Sequence, residues 1–188
     1  MNSKEKLLEV TFMEIYENGY SATSVDKILK KANMNKGSMY HFFKSKKALT
    51  VAMIEENLST YMRNKYEPLL THKENIIDEI IKRFKNRKGF DFVHGCKLNN
   101  LVQELSPIDK DFKNALEKVY INFESIFEEA LTNAIKAGEI KHDNPKVLAM
   151  FIVASFEGCL GTAKKSQDGE VFQTCISQLD LFLQSLKI

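Results

Sequence analysis

Three observations in the 188-residue sequence predict an all-α fold. Apolar residues recur at spacings of three and four, the period of a helix with one buried face. No stretch shows the strict alternation of a half-buried strand. Only 8 glycines and 3 prolines punctuate the chain, too few for a turn-rich β fold. With 44% hydrophobic and 28% charged residues the composition is that of an ordinary globular protein with a packed core. There is no internal repeat and no low-complexity segment.

The elements follow in chain order. Leu7, Leu8, Thr11 and Ile15 mark a first helix, stopped by Asn18-Gly19. Thr23-Ser24-Val25-Asp26 reads as a capping box, with Thr23 as the cap and Asp26 reaching back. Val25, Ile28, Leu29 and Ala32 form the apolar stripe of a two-turn second helix. Asn33 sits where a left-handed residue would end it, a conformation asparagine tolerates better than any residue but glycine. Asn35 caps a third short helix, Lys36 to Phe43, in which Met39, Phe42 and Phe43 point to the core. Ser45 caps a fourth that runs from Lys46 towards Glu67 and is stopped by Pro68. The second and third helices, joined by Asn33-Met34-Asn35, have helix-turn-helix spacing.

Beyond Pro68 the pattern stays helical. Ile76, Ile77, Ile80, Ile81 and Phe84 share a face, and a basic break at Lys85 to Lys88 precedes Gly89. A helix around Gly95 to Leu105 ends at Ser106-Pro107. The longest stripe runs from Phe112 through Leu116, Tyr120, Phe123 and Phe127 to Ile135, ending at Gly138. Asn144-Pro145 combines a cap with proline at the first helical position. From Val147 to Leu160 the next helix is apolar nearly all round, so it is buried on several faces. A last amphipathic helix spans Val171 to Leu186. The domain boundary is placed between 48 and 49, giving a head of residues 1–48 and a body of 49–188.

Net charge is only +2, but its distribution is uneven. Residues 22–47 hold seven lysines against the single acid Asp26, a net +6 that leaves −4 for the rest. A basic window on a near-neutral body is the electrostatic footprint of a nucleic-acid-binding head. The first residues lack the apolar core of a secretory signal. The longest apolar run, 147–156, is half the ~20 residues of a membrane-spanning helix. Three cysteines without zinc-site spacing fit a reduced cytoplasmic setting and imply no metal or other cofactor. An enzyme would need a convergent nucleophile, base or phosphate loop, and none is found. The four histidines (41, 72, 94 and 142) are scattered.

The run Gly19-Tyr20, Thr23-Ser24-Val25, Ile28, Ala32 and Lys36-Gly37-Ser38-Met39-Tyr40-His41-Phe42-Phe43-Lys44-Ser45-Lys46-Lys47-Ala48-Leu49 resembles the N-terminal signature of the TetR repressors. It covers about the first quarter of the chain, with its parts in order on the right helices. The remainder matches that family in architecture only. The resemblance implies an N-terminal three-helix DNA-binding domain joined to a C-terminal helical ligand-binding and dimerisation domain. It implies phosphate contacts for Thr23, Tyr40, His41 and Lys46, with Asn35, Lys36, Gly37 and Ser38 facing bases. For Thr23 and Asn35, capping and DNA contact are compatible.

Those residues suit the task on physical grounds as well. A helix opening at Lys36 presents free N–H groups and a positive dipole end to DNA. Gly37 and Ser38 are small enough for close approach, and lysine, serine and tyrosine are common phosphate contacts. Three positions depart from the family pattern: Asn33 replaces the glycine of the turn, Leu29 an alanine, and Lys47 an acid. Operator preference therefore cannot be carried over from relatives.

For the body, the resemblance implies a small-molecule site between central helices and a homodimer through the last two long helices, 147–160 and 171–186. Gly158 and Gly161 would allow close helix contact there. The candidate effector lining is Phe84, Phe92, His94, Cys96, Leu98, Leu101, Phe112, Leu116, Tyr120, Phe123, Phe127 and Phe156, with Gln103 and Glu104 as further polar groups. Such an aromatic stripe serves a core as readily as a pocket; as a pocket it calls for a hydrophobic or aromatic effector. Cys96 at a helix start beside Lys97 is a candidate electrophile or oxidant sensor, with a buried, unreactive thiol as the reading set against it. Cys159 and Cys175 read as core. The function expected is a repressor released from a palindromic operator by its effector; regulation by a protein partner, or activation, is the alternative.

Overall fold

A computed structural model of the chain describes residues 2–188. Among them ten α-helices form: α1 (Ser3–Asn18), α2 (Val25–Ala32), α3 (Lys36–Phe42), α4 (Lys46–Met53), α5 (Ser59–Tyr66), α6 (Ile76–Lys85), α7 (Lys97–Leu105), α8 (Lys110–Lys136), α9 (Pro145–Ser166) and α10 (Gly169–Gln184). The fold is all-α, as the periodicity predicts. One isolated antiparallel bridge, Ile140 to Lys187, is the β feature among the described residues. The chain forms two compact units, Met1–Met62 with Lys97–Tyr120, and Arg63–Cys96 with Ile121–Ile188. Compactness thus draws a different line from the expected boundary after residue 48. The fourth helix continues through that boundary, and α7 packs on α1 inside the first unit.

In the first unit, α1 opens with a capping box that the sequence pattern did not suggest. The Asn2 side chain accepts from the Glu5 N–H, and the Glu5 carboxylate accepts from the Asn2 N–H. Leu7, Leu8, Phe12 and Ile15 form its buried face. The helix stops at Gly19, whose φ of +81° is costly for a residue with a Cβ. The cap of α2 is Ser24, not Thr23: the Ser24 hydroxyl accepts from the Lys27 N–H. Asn33 adopts the expected left-handed conformation (φ 53°, ψ 52°) and donates its N–H to the last carbonyls of α2.

Asn35 caps α3 and Ser45 caps α4, as expected. At the end of α3 the expectation is half right. Met39 and Phe43 are buried, whereas Phe42 turns outward. The helix expected from Lys46 to Glu67 contains a π turn at Ile54–Leu58, and Pro68 lies within a 3-10 turn at Glu67–Thr71 instead of ending the helix outright.

The second unit is built on aromatic rings. Phe84 stacks on Phe156 with centroids 4.5 Å apart and on Phe127 at 5.9 Å. Phe123 lies 4.5 Å from Tyr66, and Phe90 lies near both Phe156 and Phe172. Salt bridges Lys85–Asp180, Arg87–Glu170 and Lys187–Asp78 tie the α6 region to α10. Cys159 and Cys175, expected as separate core thiols, form a disulfide that joins α9 to α10. Helix α9 begins at Pro145 behind the Asn144 cap, as expected, and runs on to Ser166. At 22 residues it is long and apolar enough to cross a membrane by length and composition. Half of its apolar stretch is buried inside the fold, as in the core helix of a globular protein.

Candidate nucleic-acid interface

The outward face of the head comes from the ends of α2 and α3. Asn35 bends the chain into α3: its side-chain oxygen accepts from the Ser38 N–H at 2.8 Å and from the Ser38 hydroxyl at 3.2 Å. A Cβ on Gly37 would stand 3.2 Å from that same oxygen, so the smallest residue lets the cap close. Asn35, Lys36, Gly37, Tyr40 and His41 are all exposed, and Ser38 is half-buried. Tyr40 has 55% of its surface open, and the His41 ring lies edge-on to Phe42. Lys36 reaches back to Asp26 at 3.0 Å, and this hydrogen bond holds its ammonium above the ordinary lysine range. A single exposed surface therefore combines the start of a helix with lysine, serine, tyrosine and histidine.

Two of the residues expected to contact DNA have partners within the fold. Thr23 is buried, and its hydroxyl donates to the carbonyls of Gly19 at 2.7 Å and Glu14 at 3.2 Å. That hydroxyl is engaged inside the fold of the free protein. The residue that the sequence reading passed over is Ser24, exposed at the start of α2. Lys46 is half-buried: its ammonium donates to the Tyr20 carbonyl at 2.6 Å and lies 3.8 Å from the centre of the Tyr20 ring. Desolvation pushes its pKa below the ordinary lysine value. Lys47, the residue in place of an acid, pairs with Asp109 and Asp111, and these bonds push its pKa up.

The expected effector residues divide between the two units. Phe84, Phe123, Phe127 and Phe156 meet in the ring cluster of the second unit, together with Tyr66, Phe90 and Phe172, which the sequence reading missed. Phe92 is half-buried and packs on Phe172. His94 Nδ1 lies 2.8 Å from Asp91 Oδ2, and Cys96 is half-buried just before α7. Leu98, Leu101, Phe112, Leu116 and Tyr120 belong to the first unit, where Phe112 meets the Tyr20 ring edge-on at 5.2 Å. Gln103 is exposed, and Glu104 is engaged by the α1–α2 loop. An open groove of about 510 Å³ runs beside α6, lined by His72, Glu79, Lys82, Arg83 and Asn86. None of the expected effector residues lines it.

A helix-turn-helix with an exposed third helix in a lysine-rich stretch, set before a helical body, defines a DNA-binding transcriptional regulator. Residues 7–53 match the model of the bacterial regulatory proteins of the tetR family, and residues 71–178 match the C-terminal domain of LmrA/YxaF-like transcriptional regulators. The chain belongs to the TetR family. It is 31% identical over 193 residues to an uncharacterised HTH-type transcriptional regulator in the lacX 3' region of Lactococcus lactis, covering 99% of this chain and 94% of that protein. It is 25% identical to the HTH-type transcriptional repressor DhaR of a Mycobacterium species, over 89% and 85% of the two chains. The crystal structure of reduced Escherichia coli NemR shares the fold with a TM-score of 0.86 at 24% identity, over 100% of this chain and 98% of that one.

Proposed function

We propose that this regulator is a repressor that binds a palindromic operator as a homodimer and leaves it when a small-molecule or electrophile effector binds. The exposed face of α3 carries this reading. Asn35, Lys36, Gly37 and Ser38 would face bases, and Tyr40, His41 and the Ser24 end of α2 would take phosphates. A dimer is supported by an apolar surface on α9 and α10. Val147, Met150, Phe151, Leu181 and Phe182 are exposed there, and the Phe151 and Phe182 rings meet at 5.1 Å. Gly158 and Gly161 leave open space on the same helix. Such a contiguous apolar surface suits a partner's matching helices. Two copies would place two third helices in successive major grooves. A hydrophobic or aromatic effector would bind by parting the ring cluster of the second unit, and Cys96 is the group that would take an electrophile. Relatives named as repressors support the direction of control. An operator-DNA target fits a cytoplasmic protein.

The test is a titration of the purified protein against the DNA upstream of its own gene and against random DNA, across a range of salt. Competitor-resistant binding and a footprint over an inverted repeat are expected. Tyr40→Ala should weaken binding to strong and weak sites alike while leaving the salt slope unchanged, because a neutral hydroxyl bonds a phosphate without releasing a counterion. Undiminished affinity would remove Tyr40 from the interface.

A further inference from the structure

The α1–α2 loop, residues 19–23, is where several elements of the head meet. Glu104, on α7, grips it with both carboxylate oxygens: Oε2 accepts from the Tyr20 N–H at 2.8 Å and Oε1 from the Ser21 N–H at 2.9 Å. The loop is shaped to that carboxylate, because a Cβ on Gly19 would stand 3.3 Å from Oε2. The Tyr20 carbonyl, on the other side of the same residue, takes the Lys46 ammonium from the start of α4. It also accepts the Thr23 N–H at 3.2 Å, one residue before the Ser24 cap of α2. The Tyr20 ring rests on Phe112 of α8. Two backbone donors on one carboxylate make a charge-assisted, two-point attachment with little freedom to slide.

We propose that Glu104 is a positioning residue for DNA binding: through the Tyr20 and Ser21 N–H groups it fixes the loop from which the start of α2 hangs and to which Lys46 is tied. Glu104 touches no DNA. Its effect reaches the operator through the placement of Ser24 and of the α2–α3 pair. An effector that shifts α7 by about an ångström breaks both hydrogen bonds, since such bonds weaken steeply beyond their normal length and angle. The loop, α2 and Lys46 are then released together. This rests on the reading of the head as the operator-binding surface.

The sign of the effect separates positioning from electrostatics. Glu104 is an acid close to Lys46, so charge alone predicts that Glu104→Gln tightens binding to a polyanion. Positioning predicts the reverse, because an amide has one acceptor oxygen for two N–H donors. The experiment uses DNA selected by the full-length parent from a randomised pool. Expected for E104Q are binding weakened by about tenfold, the loss of one charge-assisted hydrogen bond, and an unchanged salt slope. Amide exchange at Tyr20 and Ser21 should quicken in the free protein. Asp111→Asn, which removes an acid facing Lys47 and takes no part in the loop's hydrogen bonds, should bind as tightly as the parent or more tightly. Equal or tighter binding by E104Q overturns the proposal, as does faster exchange without loss of affinity, or a reduced salt slope. If the parent itself selects no DNA, the operator reading fails and the positioning role falls with it. If the parent binds and E104Q matches it, the positioning role alone fails.

Discussion

In the unit that holds the head, the contacts gathered around residues 19–23 are mainly polar. Glu104 takes the loop N–H groups, Lys46 the Tyr20 carbonyl and Thr23 the Gly19 carbonyl, while Lys31 pairs with the buried Glu14 between α1 and α2. In the other unit the centre is a stack of rings, Phe84, Phe127, Phe156 and their neighbours, with a disulfide between α9 and α10. Polar contacts are directional: a charge-assisted one contributes about 1.5–3 kcal/mol net, and it weakens steeply once length or angle departs from the normal range. Close-packed rings lose dispersion contacts on any displacement and resist it. The difference separates a part that can be retuned by small shifts from a part that holds its shape.

Opening the ring core should have the largest effect. Phe156 is 1% exposed and meets Tyr66, Phe84, Phe90 and Phe172. Phe156→Ala should cost about 3–5 kcal/mol, the range for a fully buried phenylalanine whose site cannot collapse. Urea unfolding followed by circular dichroism measures it. A loss below about 1 kcal/mol would mean that the rings leave space between them, as a preformed effector pocket would.

Reduction of the disulfide comes next. Cys159 and Cys175 are 16 residues apart, and releasing a loop of that size should lower stability by about 3 kcal/mol. Urea midpoints with and without reductant give the value. Three titratable thiols in the protein denatured without reductant would show that the pair is not bonded in solution. The sequence reading of two core cysteines would then be right.

The sequence made most of the fold legible because helix ends announce themselves. Asn33, Asn35, Ser45 and Asn144 all do at their helix ends what asparagine and serine do best. What stayed hidden required a third dimension. Thr23 and Ser24 are both capping types, and only the direction of each hydroxyl decides between them. Tyr66 closes a polar helix, and Phe90 and Phe172 lie off the long stripe of α8, so none reads as a partner of Phe156. Glu104 sits among polar residues of α7 and reads as a solvated acid or an effector ligand, because its true partners are N–H groups 83 and 84 residues away. The disulfide likewise depends on two helices whose Cα atoms approach to 5.4 Å.

The smallest effects lie in the head, where two adjacent hydroxyls can be told apart by substitution. Thr23→Val keeps shape and burial and leaves the Gly19 and Glu14 carbonyls without that donor, at a cost of about 1–2 kcal/mol. Ser24→Ala removes a cap and costs about 1 kcal/mol. Stability alone barely separates them. Operator binding does, under conditions where both variants are fully folded. Ser24→Ala should lose affinity about equally on strong and weak sites, as the loss of a phosphate contact does, with the salt slope unchanged because the hydroxyl is neutral. Thr23→Val, with its side chain enclosed, should leave the affinity as it is. If instead Thr23→Val loses affinity and Ser24→Ala does not, the phosphate contact belongs to Thr23. The first turn of α2 must then rearrange on DNA, and the polar head would be more adjustable than its packing in the free protein implies.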